Sequence, residues 1–477
     1  MNITILLILL GAGALATYGA GNKWAPKVAL GFSILTFICA LTFVNQHNSS
    51  DFIVKWFSNP NVSFAIKSDG LALTLVLLTT ALVPIILLTS LNKEIKNAKS
   101  FYALVLFMAG AMVGTFLAAD GFLYYIFWEL ALLPIFMIGL FWGDNSTGER
   151  KKTMMRFFVF TFAGSLFMLG SFIYLYQKVG SFYIADLYKA NLNSTEQFWV
   201  FLGFFIAYAI KIPILPFHSW QAKTYQFAPT VGTMLLSGAM LKMGLYSVIR
   251  WQMPIAPLAA KEYGPVFIWL SLAGVVYGSL VALKQDNLKK LMAYSSLAHV
   301  GLIAAACYSG SQDAITGAVY QMVGHGFVIV GLFYCVDIIH SRYKTIQISD
   351  LGGIRTLAPK FTSLFLLVLV ASIGLPGTFN FIGEFTMLYG LGAQNISYAV
   401  VGGTSIILGA YYMLKMFQNT MLGTTQQKPF DDVSWSEGFT LILIIGVLFY
   451  FGMYPKPLHD LIAPSIAQLN VYINPIK

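Results

Sequence analysis

Apolar runs of membrane-spanning length recur from one end of this sequence to the other, separated only by short polar or Pro/Gly-rich punctuation. They fall near 2–20, 26–45, 70–91, 101–119, 121–142, 154–176, 197–215, 230–251, 264–283, 290–308, 314–339, 361–390, 396–418 and 437–455. A helix needs about 20 apolar residues to cross a hydrocarbon core of about 30 Å. The runs therefore predict an all-α polytopic membrane protein with about fourteen transmembrane helices. Composition agrees: 57% of the 477 residues are hydrophobic and only 10% are charged, with a mean hydropathy of +0.73. A soluble domain carries roughly a quarter charged residues, so this chain cannot cover a water-facing surface. Residues 2–20 have the look of a signal peptide, but Lys23 and Lys27 follow the apolar core instead of preceding it. That order reads as a retained first helix.

The net charge of +10 does not mark a nucleic-acid binder, because the basic residues sit in small clusters between apolar runs, such as Arg150, Lys151 and Lys152. That is the footprint of anionic lipid and membrane topology. Of the 29 Lys and Arg, 19 lie in or beside loops after odd-numbered runs and 6 beside even-numbered ones. The positive-inside rule then puts the odd loops in the cytoplasm and both termini in the periplasm of a bacterial inner membrane. Cys39, Cys307 and Cys335 are isolated within apolar runs, whereas zinc and iron–sulfur sites need grouped ligands. No metal site is expected, and no nucleotide-binding glycine motif is present.

Two basic residues, Lys211 and Lys242, fall inside predicted spans, as do Glu129 and Glu384. A charge at the bilayer centre costs at least about 2.5–3.5 kcal/mol, so these four must face one another or water. Hydrophobic replacements serve stability as well as a buried ion pair does, which favours a functional reading. If Glu129 approaches or leaves Lys211, the lysine can take up or release a proton. His299 and His325, with Ser295 and Ser296 beside His299, can link Lys242 to Glu384 as relays. His218 follows a proline break, while His47, His340 and His459 read as ordinary surface residues.

Leu-Pro pairs interrupt the seventh and twelfth spans at 215–216 and 375–376. Proline lacks the amide donor and clashes with the preceding turn, so Pro213, Pro216 and Pro376 should break both helices near mid-membrane. Similar breaks in two halves suggest an inverted repeat with ion sites at the breaks. The expected division is an N-terminal group (1–100), a first five-helix repeat (101–251), a second (263–420), and a last helix with a tail (436–477).

The segments Lys211-Ile-Pro-Ile-Leu-Pro-Phe-His-Ser-Trp220, Ala228-Pro-Thr, Leu241-Lys-Met-Gly-Leu-Tyr-Ser-Val-Ile-Arg250 and Leu288 to Gly301 resemble the antiporter-like subunits of respiratory complex I and of Mrp antiporters. The resemblance covers roughly residues 70–420. Glutamate at Glu384 places the likeness with the M-type branch (chain 4 in mitochondria), where the L and N branches and most Mrp homologues carry lysine. Tyr225 and Phe227 stand where many relatives have histidine and glutamate, so they are left out of the proton row. The resemblance implies a proton-translocating subunit whose key positions are Glu129, Lys211, Lys242, His299, His325 and Glu384. It implies no cofactor in this chain, with FMN, iron–sulfur clusters and quinone in partner subunits. The implied partners are the other membrane subunits of complex I, especially the L and N subunits, and membrane lipids. An Mrp-type antiporter or membrane-bound hydrogenase subunit is the first alternative. A stand-alone solute transporter needs a midplane substrate pocket, and an inert scaffold leaves four buried charges unexplained.

Overall fold

A computed structural model describes residues 2–44, 51–143, 147–424 and 429–474; His47 and Lys477 lie outside them. The longer helices, in chain order, are α1 (Ile5–Gly19), α2 (Gly21–Leu41), α3 (Gly70–Leu88), α4 (Ala98–Leu117), α5 (Gly121–Trp142) and α6 (Thr147–Val179). They continue as α7 (Ser194–Lys211), α8 (Thr230–Ile255), α9 (Pro257–Ala282), α10 (Leu288–Tyr308) and α11 (Gln312–Tyr343). The last are α12 (Pro359–Ser372), α13 (Phe379–Gln394), α14 (Ile396–Met421), α15 (Trp435–Met453) and α16 (Lys456–Ile473). Eleven of the described helices are long and apolar enough to cross a bilayer. The expected fourteen also counts the shorter α1 and the two interrupted elements, α7 and α12–α13.

Helix starts follow from capping chemistry, since the first four amides of a helix lack internal partners. Asp69, Asp120, Asn287 and Ser311 each accept from a first-turn amide, and Asn193 with Glu196 and Ser434 with Glu437 form reciprocal capping boxes. Each such cap contributes about 1 kcal/mol.

The core helices are α8, α10 and α11, whose apolar windows are buried almost throughout, while α2, α6 and α14 turn broad faces outward. α8 is not a uniform helix. It contains two π segments, Leu236–Met240 and Val248–Gln252, flanking the regular turns that carry Lys242. Such bulges occur often at functional sites, and nothing in the sequence pattern announced these two.

Connections that the charge count assigned to the basic side meet at one end of the bundle. Trp142 Nε1 donates to the Lys96 carbonyl (2.6 Å), Leu288 N to Ile346 O (2.9 Å), and Gly353 N to Leu422 O (3.0 Å). The others meet at the opposite end, through Ala119 N to Ala65 O (2.8 Å) and Ile184 N to Ala119 O (2.9 Å). A two-stranded antiparallel hairpin, β1 (Phe52–Phe57) and β2 (Val62–Ile66), lies at that second end and is the local departure from an all-helical chain. α16 also packs there, where a tail was expected. Its buried Leu458, Ile462, Ile466, Leu469 and Ile473 recur at helical spacing, a signal present in the sequence.

Candidate functional site

The first break shows why Lys211 sits where it does. Pro213 has no amide hydrogen to offer Ala209 O; the Ile214 amide takes that carbonyl instead, at 2.9 Å. Ile210 O, the ordinary partner of Ile214, is satisfied by the Trp220 indole at 2.8 Å. The helix thus ends with Lys211 as its last residue, where the negative end of the helix dipole favours a cation. Lys211 is 3% exposed, and its Nζ lies 4.9 Å from the centroid of the Trp128 ring. A cation over a desolvated indole gains about 2 kcal/mol.

Glu129, next to Trp128 on α5, interacts electrostatically with Lys211 and has Ser165 beside its carboxyl. No direct ion pair joins Glu129 and Lys211, and Glu129 Oε1 has no hydrogen-bond partner among the described residues. The two groups interact at a distance, with Lys211 resting on the Trp128 ring rather than in a closed bridge to Glu129.

The second centre is hydrogen-bonded. Lys242 is fully buried, and its Nζ donates to Ser237 O at 2.5 Å and lies 2.9 Å from His325 Nδ1. His325 Nε2 contacts Ser296 Oγ at 3.1 Å. The His325 and His299 ring centroids are 6.1 Å apart. His299 Nδ1 lies 3.1 Å from Glu384 Oε1, within ion-pair range but off the line along which a ring N–H donates. Gln321 Nε2 donates to the same Glu384 oxygen at 3.2 Å. Residues from α8, α11, α10 and α13 therefore form one buried row.

Glu384 belongs to the second break. There the Leu375 amide bonds Val370 O at 3.1 Å, the same five-residue reach by which Ile214 bonds Ala209 in the first. Gly374 has φ +69°, and a Cβ there would lie 2.6 Å from Glu384 Oε2. Backbone and carboxylate could not come this close around a larger residue. The two centres adjoin: a Cβ on Gly244, two residues from Lys242, would contact Ile212 at 2.6 Å and Lys211 Cβ at 3.4 Å.

Five of the six expected residues are thus buried and Glu129 is half-buried; four form one row, with Lys211 beside it. Among the further buried charges that escaped sequence reasoning are Arg250 and Asp337. Arg250 was counted as a loop residue but is buried and ion-paired with Asp69, which also caps α3. Asp337 lies inside the eleventh run and pairs with Lys93, accepting also from Thr230 at 2.8 Å. An acid in a span is itself the signal that could have found Asp337. Arg250, at the end of its run, looked like an interfacial anchor. His459, expected as plain surface, is exposed but pairs with the Tyr320 hydroxyl at 2.8 Å. Among the described residues no group of three or more His, Cys, Asp or Glu is arranged to hold a metal.

The sequence profile of the family described as NADH:quinone oxidoreductase/Mrp antiporter, TM, matches residues 118–409. NADH-quinone oxidoreductase subunit M of Rickettsia prowazekii is 34% identical over 485 residues, covering 98% of both chains. NADH-ubiquinone oxidoreductase chain 4 of Arabidopsis thaliana is 32% identical, covering 93% of this chain and 91% of that protein. Among solved structures, a chain of respiratory complex I from Thermus thermophilus superposes with a TM-score of 0.91 at 25% identity, covering 99% of this chain and 100% of that one. A chain of the Mrp complex from Dietzia shares the fold, with a TM-score of 0.86 at 18% identity, covering 99% of this chain and 52% of that one.

Proposed function

The chain belongs to the family of NADH:quinone oxidoreductase/Mrp antiporter transmembrane subunits, on its subunit M branch, and from that premise we propose that protons move through Glu129, Lys211, Lys242, His325, His299 and Glu384. The observation that carries this reading is the contact series from Lys242 to His325, and from His299 to Glu384, among the most deeply buried helices of the bundle. Lysine, imidazole and carboxylate can each hold or release a proton, and a buried row lets the charge on one bias the next. Glu129 and Lys211, close but unbridged, make the adjustable pair: approach favours the ammonium, retreat the amine.

In this reading the chain has no redox site. It takes its driving energy from electron transfer in partner subunits that hold FMN, iron–sulfur clusters and quinone. Its neighbours are the other membrane subunits of the complex, the L and N subunits first among them. The membrane is the bacterial inner membrane, with the basic loops cytoplasmic and the termini periplasmic. The two broken elements belong to inverted five-helix repeats, 101–251 and 263–420. The five-residue backbone reach common to both breaks supports that pairing.

The test is Glu129→Gln in the intact complex, reconstituted into liposomes. The variant should assemble normally on native gels yet lose most NADH-driven proton uptake, with quinone reductase turnover falling alongside. Glu129→Asp should retain part of both. Wild-type proton uptake per electron in Glu129→Gln would reduce Glu129 to a passive counter-ion.

A further inference from the structure

The row of buried residues needs a way in from water, and one feature at the basic-loop end leads toward it. A cavity of about 590 Å³ opens there between the 348–352 segment and the end of α14, lined by Asp286, Ser349 and Asn419 among others. It shares Asp286, Ile348 and Asn419 with a narrower cavity of about 160 Å³ between the end of α9, the start of α10 and α14. Lys284, Asp286, Lys415 and Asn419 are exposed around this mouth. Its lining also includes Tyr412, which is 2% exposed. Tyr412 lies seven residues inward of Asn419, about 10 Å along the helix axis.

The Tyr412 hydroxyl donates to Ser295 Oγ at 3.0 Å. Ser295 stands one turn before His299 on α10, on the same face, and Glu384 lies in electrostatic range of Tyr412. The geometry points to a proton uptake route from the basic-loop face: through the paired cavities to Tyr412, across to Ser295, and on to His299 and Glu384. The inference rests on the proton-transfer reading of the buried row and assigns the row its inlet. In the transfer, a hydronium ion in the cavity gives Tyr412 Oη a proton and is left as water, while Tyr412 gives its own proton to Ser295 Oγ. Ser295 passes its proton inward to the Glu384 carboxylate or the His299 imidazole. Each hydroxyl ends neutral, and one proton has moved.

The test uses the whole complex in liposomes with the basic-loop face outward. Tyr412→Phe removes the relay hydroxyl while keeping the packed ring. Asn419→Cys offers the mouth to a membrane-impermeant, bulky thiol reagent; the native Cys307 and Cys335 are buried and Cys39 is half-buried, and reagent-treated wild type is the control. Tyr412→Phe should lower proton uptake at least about tenfold, a conservative floor beneath the roughly 10²–10⁴-fold that a positioned proton-transfer group contributes, with assembly unchanged. Reagent should block uptake in Asn419→Cys and not in wild type. Lys242→Met separates the two levels of inference. If Lys242→Met abolishes uptake while either Tyr412→Phe or the blocked Asn419→Cys pumps at the wild-type rate, this inlet is wrong and the buried row stands. If Lys242→Met pumps normally, the row itself is wrong.

Discussion

Gly374 and Gly377 separate strain from function at the second break. Both adopt positive φ, at +69° and +91°, but a Cβ at Gly377 meets nothing within 4 Å while one at Gly374 runs into the Glu384 carboxylate. Alanine in a left-handed conformation costs about 1–2 kcal/mol, so Gly374→Ala and Gly377→Ala should lower thermal stability by similar amounts. Only Gly374→Ala should also reduce proton uptake, because only there does the methyl group displace Glu384. Equal uptake in the two variants would detach Gly374 from the site. At this scale the sequence was legible where residues are rare in lipid. Lys211, Lys242, Glu129 and Glu384 stood out for that reason. Tyr412 and Gln321 did not, because a hydroxyl or amide in a span is commonplace and acquires meaning only from what it touches.

Among the elements, the broken helices could be read from proline alone, since a missing amide has a fixed consequence. The π segments of α8 could not, because their residues are ordinary helix formers. α3 shows how one residue can serve two purposes at an element's end. Asp69 caps the helix through the Ala72 amide at 3.0 Å and pairs with buried Arg250. Burial pushes the Asp69 carboxyl up, but the Arg250 charge and hydrogen bond more than offset this and hold it below its ordinary 3.8. A lowered value means the pairing stabilises fully above that pH and is lost only as pH falls through the lowered value. Asp69→Asn keeps a capping oxygen but strands the guanidinium, costing about 3–5 kcal/mol. Thermal unfolding of the purified complex should show that loss at neutral pH, with partial recovery in Asp69→Asn/Arg250→Gln. No loss in Asp69→Asn would mean that the cap, which asparagine keeps, rather than the charge pair is what Asp69 supplies.

For the whole molecule, the alternation of loops has a direct reading. Cysteines at Gly148 and Gln347, both exposed at the basic-loop end, should react only with reagent supplied from the cytoplasm. One added at the C-terminus should react only from the periplasm. Labelling of Gly148→Cys or Gln347→Cys from outside would overturn the orientation. The helical architecture was legible in the sequence because bilayer thickness sets helix length, and the alternation of basic loops matches connections that gather at one end of the bundle. The hairpin and α16 were missed because both lie outside the bilayer, where neither constraint operates.

The clasp between α3 and α16 has a consequence for how the chain is made. Gly70 N donates to Ser465 Oγ at 2.9 Å, and a Cβ on Gly70 would fall 1.7 Å from the Leu461 carbonyl. The partners are 395 residues apart. At about 5–20 residues per second, a ribosome needs roughly 20–80 s to deliver the second after the first. For that interval the start of α3 waits in the membrane without its cover. A helix made late closes one made early, so a finished clasp reports that translation has run to Ser465.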